Sequence, residues 1–203
     1  MAITSYSTLQ TEVANWLHRS DLTTYIQTFI SLGEDRIYRD LRLKTMETAL
    51  SSAISSGVIA VPSDYVELKY AYVVDTDSYI LQRTTPDAIY QRYPDRTAGG
   101  SPRYIAREGS NFIFGPYPDS TYTIKGIYYA RLSKLSDANT TNWFITDAPN
   151  LLLFAALCEA APYMQNDDRV ALWEAKFNDI KQQVQLEDDR ESLSGGAIAM
   201  VMG

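Results

Sequence analysis

Polar and apolar positions alternate with three different textures along the chain, in the order helical, strand-like, helical. Ser7 followed by Gln10 has the spacing of a capping box and opens a short helix with Leu9, Val13, Trp16 and Leu17 on one face. Ser20 or Asp21 is the expected cap of a longer helix. Its apolar positions, Leu22, Ile26, Phe29, Ile30, Ile37 and Leu41, recur near the helical period. Glu34, Asp35, Arg36, Arg39 and Asp40 fall between them and read as a solvated face. From Ser51 the texture changes. SSAISSG reads as a polar break, and the runs that follow are short and rich in Val, Ile and Tyr: 58–61, 65–74, 79–82, 103–107, 111–114 and 122–130. Turn-forming residues bound each run. Residues 103–114 read as a hairpin turning at Gly109, and 86–93 as the one helical piece, with Pro86 in its first turn and Pro94 ending it.

Helical spacing returns after Asn142. Asp147 and Pro149 are expected in a first turn. Leu151–Ala161 is apolar almost all round and reads as the central buried helix, bent or stopped by Pro162. Asn166 or Asp167 is the expected cap of a last helix. Val170, Trp173, Phe177, Ile180 and Val184 on it step by three and four, a seam suited to a packed bundle face. The expected fold is therefore α+β. A helical bundle from both chain ends (1–50 and 142–191) carries an inserted β-rich module (51–141), and 192–203 form a flexible C-terminal arm. The alternative is a single α+β layer in which all helices cover one sheet.

Composition narrows the chemistry. In 203 residues there is one cysteine, Cys158, and one histidine, His18. That excludes an internal disulfide, a Cys/His metal cage and most dithiol chemistry. Eighteen basic against 25 acidic residues leave a formal charge of −7, which argues against affinity built on phosphate neutralisation. The opening MAITSYSTLQ has neither a basic n-region nor an apolar run of signal length. The apolar stretch Leu151–Cys158 is too short to span a bilayer, so a soluble protein of a reducing cytoplasm with no membrane association is expected.

No catalytic, cofactor-binding or metal-binding residues emerge. Gly99-Gly100 and Gly195-Gly196 lack phosphate-loop spacing. His18 is expected at a helix C-terminus in a capping role, and Cys158 as an inert core thiol. The acids Asp75 and Asp77, Asp167 and Asp168, and Glu187, Asp188 and Asp189 suit turns and caps better than a cleft pair. Fifteen tyrosines suit half-buried sheets and interfaces. Eight of them, Tyr65, Tyr70, Tyr72, Tyr79, Tyr104, Tyr122, Tyr128 and Tyr129, could stack sugar rings, which allows a second reading, a tyrosine-rich glycan-binding domain.

Longer segments carry a resemblance. Tyr93-Pro94-Asp95-Arg96, then Gly99-Gly100, then PRYIAREGSNFIFGPYPDSTYTIKGIYYARLSKLSD resemble the head-to-tail adaptor (connector) proteins of short-tailed bacteriophages. So do TNWFITDAPNLLLFAALCEAAPYMQNDDRVALWEAKF and the opening YSTLQTEVANWLHRSDL. The resemblance runs to about residue 190 and rests on segment order. It implies a structural protein of the virion head-tail interface, assembled in the host cytoplasm. It also implies a helical bundle bearing a β-rich insertion, and a twelve-fold ring of copies between the portal protein and the tail nozzle or tube protein. DNA would pass through the ring without sequence-specific binding. No catalytic role or cofactor is implied. Under this reading the expected ring contacts are Arg36 and Arg39 against Asp179 and Glu187, of opposite sign. The C-terminal arm, through Leu193, Ile198, Met200 and Val201, is expected to anchor in the portal, hinged at Gly195-Gly196.

Overall fold

The computed structural model describes residues 2–94, 99–164 and 168–194. The protein is α+β. The chain divides into two compact units: residues 1–45 with 131–203, and residues 46–130. Both boundaries differ from the expected ones at 50/51 and 141/142. Residues 47–50 are strand, and 131–142 lie in the helical unit.

In the helical unit, α1 (Tyr6–Leu17) and α2 (Thr23–Asp40) pack on α5 (Pro149–Met164), which also contacts the short α4 (Trp143–Asp147) and α6 (Val170–Ser194). Leu151, Leu152, Ala155, Ala156, Leu157 and Ala160 of α5 are fully buried, as its all-round apolar sequence requires. Pro162 sits inside the helix rather than ending it. At Gly33 α2 passes close against α5: a Cβ there would lie 2.9 Å from the backbone nitrogen of Ala156. Trp173 and Phe177 are the buried part of the α6 seam.

The caps differ from those expected. Ser5, not Ser7, caps α1, and its partner in the box is Thr8, whose hydroxyl accepts from the Ser5 N–H at 2.9 Å. Two short hydroxyl side chains three residues apart close the box that a Ser–Gln pair was expected to make. Leu22 occupies the N-cap of α2 with no side-chain cap. Asp21 is drawn instead into a bidentate pair with Arg19, at 2.7 and 2.6 Å. The expected caps of α6, Asn166 and Asp167, lie outside the described residues.

The β unit holds two four-stranded sheets. The first, in the order β1-β8-β3-β4, is antiparallel: β1 (Glu47–Ile54), β8 (Tyr122–Ala130), β3 (Tyr65–Val74) and β4 (Tyr79–Ile80). The second, β2-β7-β6-β5, comprises β2 (Val58–Ala60), β7 (Asn111–Gly115), β6 (Tyr104–Glu108) and β5 (Gln82–Arg83), the last pairing parallel. Leu50, Ile54, Leu68, Val73 and Ile124 of the first sheet and Ile59, Ile105, Phe112 and Phe114 of the second form one core. The alternate residues Ala106 and Ile113 meet Ile89 of α3 (Pro86–Arg92) on the outer face of the second sheet. That is why β7 is apolar on both faces. The hairpin turn falls where expected, with Gly109 at φ +58°, in the left-handed region glycine adopts without steric cost. The polar stretch at 51–54 is not a break. Ser51 and Ala53 are exposed and Leu50 and Ile54 buried, the alternation of a strand with one open face.

Candidate interaction surfaces

The charged side of α2 is not the solvated face its composition suggests. Glu34 is fully buried. Its Oε1 accepts from the Leu135 N–H at 3.2 Å and from Asn142 Nδ2 at 3.1 Å, while Oε2 has no hydrogen-bond partner. Burial, opposed by those two donors, pushes its carboxyl up to about 7, the direction that desolvating a carboxylate demands. Tyr38 Oη donates to Leu132 O at 3.1 Å, Lys134 Nζ reaches Asp35 at 3.0 Å, and the Tyr6 N–H donates to Thr140 O at 2.7 Å. Residues 132–142 have no regular structure of their own. The Leu135 N–H, Leu132 O and Thr140 O are thus paired from α1 and α2, and others within the segment, where Asn139 Nδ2 donates to Lys134 O at 2.8 Å and the Ser136 N–H to Asn139 O at 3.0 Å, so its polar backbone groups find partners without a helix or strand.

Arg36 belongs to a clamp within the chain. Its guanidinium donates to Glu174 Oε1 at 3.0 Å and Oε2 at 2.6 Å, lies 3.5 Å from Glu159, and covers the Phe177 ring at 4.5 Å from the centroid. This is the bidentate geometry in which arginine is strongest, and it holds the Glu174 carboxyl below its usual range. The other three expected ring-contact residues, Arg39, Asp179 and Glu187, are exposed. Leu193 lies in the last turn of α6, while Ile198, Met200, Val201 and Gly195-Gly196 lie outside the described residues.

His18 is the C-cap of α1 in the left-handed conformation, φ 53°. Its contribution is a backbone one: the N–H donates to Asn15 O at 3.2 Å. Cys158 is buried, and burial, with Glu174 adding to it, pushes its thiol up to about 12. A thiol so far from ionisation is a poor nucleophile. Among the described residues no group of His, Cys, Asp and Glu could hold a metal ion, and no helix is long and apolar enough to cross a membrane.

The eight strand tyrosines do not form one platform. Tyr65 and Tyr128 pack with the core between the sheets, and the Tyr128 hydroxyl donates to Asp64 at 3.1 Å. Tyr104 packs with the α3 cluster. Tyr79 pairs its hydroxyl with Ser101, and Tyr122 donates to Asp119 at 2.6 Å. Register puts Tyr70, Tyr72 and Tyr129 on the open face of the first sheet, with Tyr70 and Tyr72 stacked, centroids 6.5 Å apart.

A groove of about 420 Å³ opens at one end of the helical unit. Leu43, Trp143, Ala148 and Val184 supply its apolar lining, and Asp147, Glu187, Asp188 and Glu191 its carboxylates. Lys44 is its only basic lining residue among those described. The Lys44 N–H donates to Asp188 Oδ1 at 2.7 Å, tying the chain after α2 to the late turns of α6. Nothing in the sequence pattern joins residues 43–45, 143–148 and 184–191; the groove exists only where the bundle brings three segments together.

No curated protein matches this chain. The family model described as SU10 adaptor protein matches residues 4–199, nearly the whole length, in agreement with the adaptor resemblance of its segments. A match that spans both units settles the affiliation: the chain belongs to the SU10 adaptor protein family.

Proposed function

We propose that this chain is a structural head-to-tail adaptor that forms a closed ring between the portal protein and the tail nozzle or tube of a phage virion, leaving a channel for DNA. The observation that carries this reading is the family match over residues 4–199. A phage adaptor is a structural component that associates with head and tail proteins, and this chain works in the virion by binding rather than by catalysis. A formal charge of −7 suits a conduit for DNA, because a basic lumen would hold phosphates.

A closed ring uses two different surfaces on each copy. With Arg36 engaged by Glu174 inside its own chain and Glu187 on the lining of the acidic groove, the proposed contact is Arg39 of one copy with Asp179 of the next. Such exposed pairs set register more than affinity. The C-terminal segment, through Leu193, Ile198, Met200 and Val201, is proposed to anchor in the portal. Mass photometry of the protein with and without purified portal rings tests the reading. A discrete portal-plus-adaptor species is expected, and Arg39→Glu should weaken its formation most at low salt, where charge pairs are least screened. Portal rings that bind no adaptor copies under any salt condition overturn it.

A further inference from the structure

The seam of α6 changes character along its length. Trp173, Phe177, Ile180 and Val184 follow steps of four and three residues, and the same steps continue to Glu187 and Glu191. Trp173 and Phe177 are buried, Ile180 and Val184 half-buried, Glu187 and Glu191 exposed. Positions that face the bundle at the start of the helix therefore become carboxylates near its end. Helix lengths give the reason: α6 has 25 residues and α5 has 16, about 37 Å against 24 Å at 1.5 Å per residue. The late turns of α6 meet Asp147 and Ala148, just before α5 begins, and Leu43 and Lys44, just after α2 ends.

Two properties of the resulting groove point to its occupant. The first is an apolar floor beside the core: Leu43 and Ala148 are buried beneath it, and Trp143 and Val184 are half-buried, their remaining surface left open. The second is charge: Asp147, Glu187, Asp188 and Glu191 stand against Lys44, an excess of three negative charges. Val184, Glu187, Asp188 and Glu191 are at i, i+3, i+4 and i+7, one face of one helix, so α6 presents its three carboxylates together on the rim. The chain's own residues 195–203 carry no charged side chain and do not answer that rim. We propose that this groove docks a basic amphipathic segment of another virion protein, with one large apolar side chain on the floor and lysine or arginine on the rim. Helix-in-groove recognition of this kind uses an apolar anchor for affinity and flanking charge for specificity. That the partner is a virion protein rests on the adaptor reading; the chemistry of the segment rests on the groove alone.

Trp143 in the lining is a built-in reporter. The full chain is titrated with a short synthetic peptide carrying one phenylalanine flanked by lysines. Two control peptides replace the lysines with glutamate or the phenylalanine with serine. The lysine peptide is expected to change tryptophan emission, and Trp143→Phe to abolish that change. Asp147→Lys with Glu191→Lys is expected to weaken binding by about tenfold or more, equivalent to about 1.4 kcal/mol. Asp147→Asn with Glu191→Gln replaces that variant if circular dichroism shows it unfolded. Both controls are expected to bind at least about tenfold more weakly. Absence of binding overturns the proposal. So does binding that survives the groove variants, or a serine peptide that binds equally, which marks general attraction to an acidic chain. Sedimentation in which the groove variants dissociate a self-associated wild type assigns the groove to a second copy instead, and also overturns it. Particle incorporation separates this from the adaptor reading. Complementing a phage that lacks this protein, wild type is expected in virions and the groove variants reduced about tenfold, with Asp75→Lys as a surface control. Wild type missing from particles sinks the adaptor reading, and the peptide titration still decides the groove. Groove variants incorporated like wild type sink the groove proposal.

Discussion

Glu34 shows how little a residue's type reveals about its work. A glutamate beside Asp35 and Arg36 on a helix reads as solvent-facing, yet it is fully buried and holds Leu135 and Asn142 in place. Its consequence is a pH dependence of stability. The folded-state carboxyl titrates near 7 and the unfolded one near its usual 4.5. Folding therefore takes up a proton between those values. The contribution is fully present below pH 4.5 and is lost as pH rises through 7, by about 3 kcal/mol at most. Chemical denaturation across pH 4.5–8 should show this fall in the wild type, and Glu34→Gln, which keeps an acceptor for Leu135 and Asn142, should flatten it. Equal slopes in the two proteins would contradict the assignment. Arg36 teaches the same lesson: its charge invites an intermolecular contact, and the structure places it on Glu174.

At the scale of elements, α5 organises the helical unit because nearly every side chain on it is apolar, so it has no face to give to water. Leu157 is fully buried there, whereas Phe154 is half-buried, its ring edge-to-face with Trp16 at 5.4 Å. Leu157→Ala should cost about 2–5 kcal/mol, since the surrounding helices cannot close the space. Phe154→Ala should cost less, because water already reaches that site. Urea unfolding of the two variants checks the order, and a larger loss for Phe154 would mean that the outer contact, not the centre, holds the bundle. The strands were legible for a different reason. In 122–130 and 65–74 the Val, Ile and Tyr runs end at clear turn residues, and the observed spans coincide with the expected ones. The inward face of β3 was less legible: Leu68, Ala71 and Val73 do not alternate strictly, because register shifts in its pairing with β8 reset the parity.

For the molecule as a whole, the proposed adaptor role makes the C-terminus the part whose loss should be felt in assembly and not in folding. The α6 helix reaches Ser194, beyond the expected start of the arm at 192, so a deletion that spares the helix removes residues 195–203 only. The truncated protein should keep the circular dichroism and thermal midpoint of the full chain while losing affinity for portal rings. Unchanged portal binding would remove the arm from the proposal, and a lowered midpoint would place it in the bundle instead.

The helices and strands with strong periodicity, the hairpin at Gly109 and the buried α5 follow from sequence alone, because each depends on residues a few positions apart and on a simple apolar count. The absence of a Cys/His cage followed in the same way from one histidine and one cysteine. Family membership was legible in the order of segments. What tertiary structure decided lies at long sequence separation. Residues 131–142 join the helical unit with partners supplied by Glu34, Tyr38 and Tyr6, 94 to 134 residues away. Arg36 is spent on Glu174, 138 residues on. The acid-lined groove assembles Leu43, Trp143 and Glu187 from three stretches, none of which marks it. Local pattern sets how each segment buries its apolar face, but which polar groups that burial brings together is settled only when the faces meet.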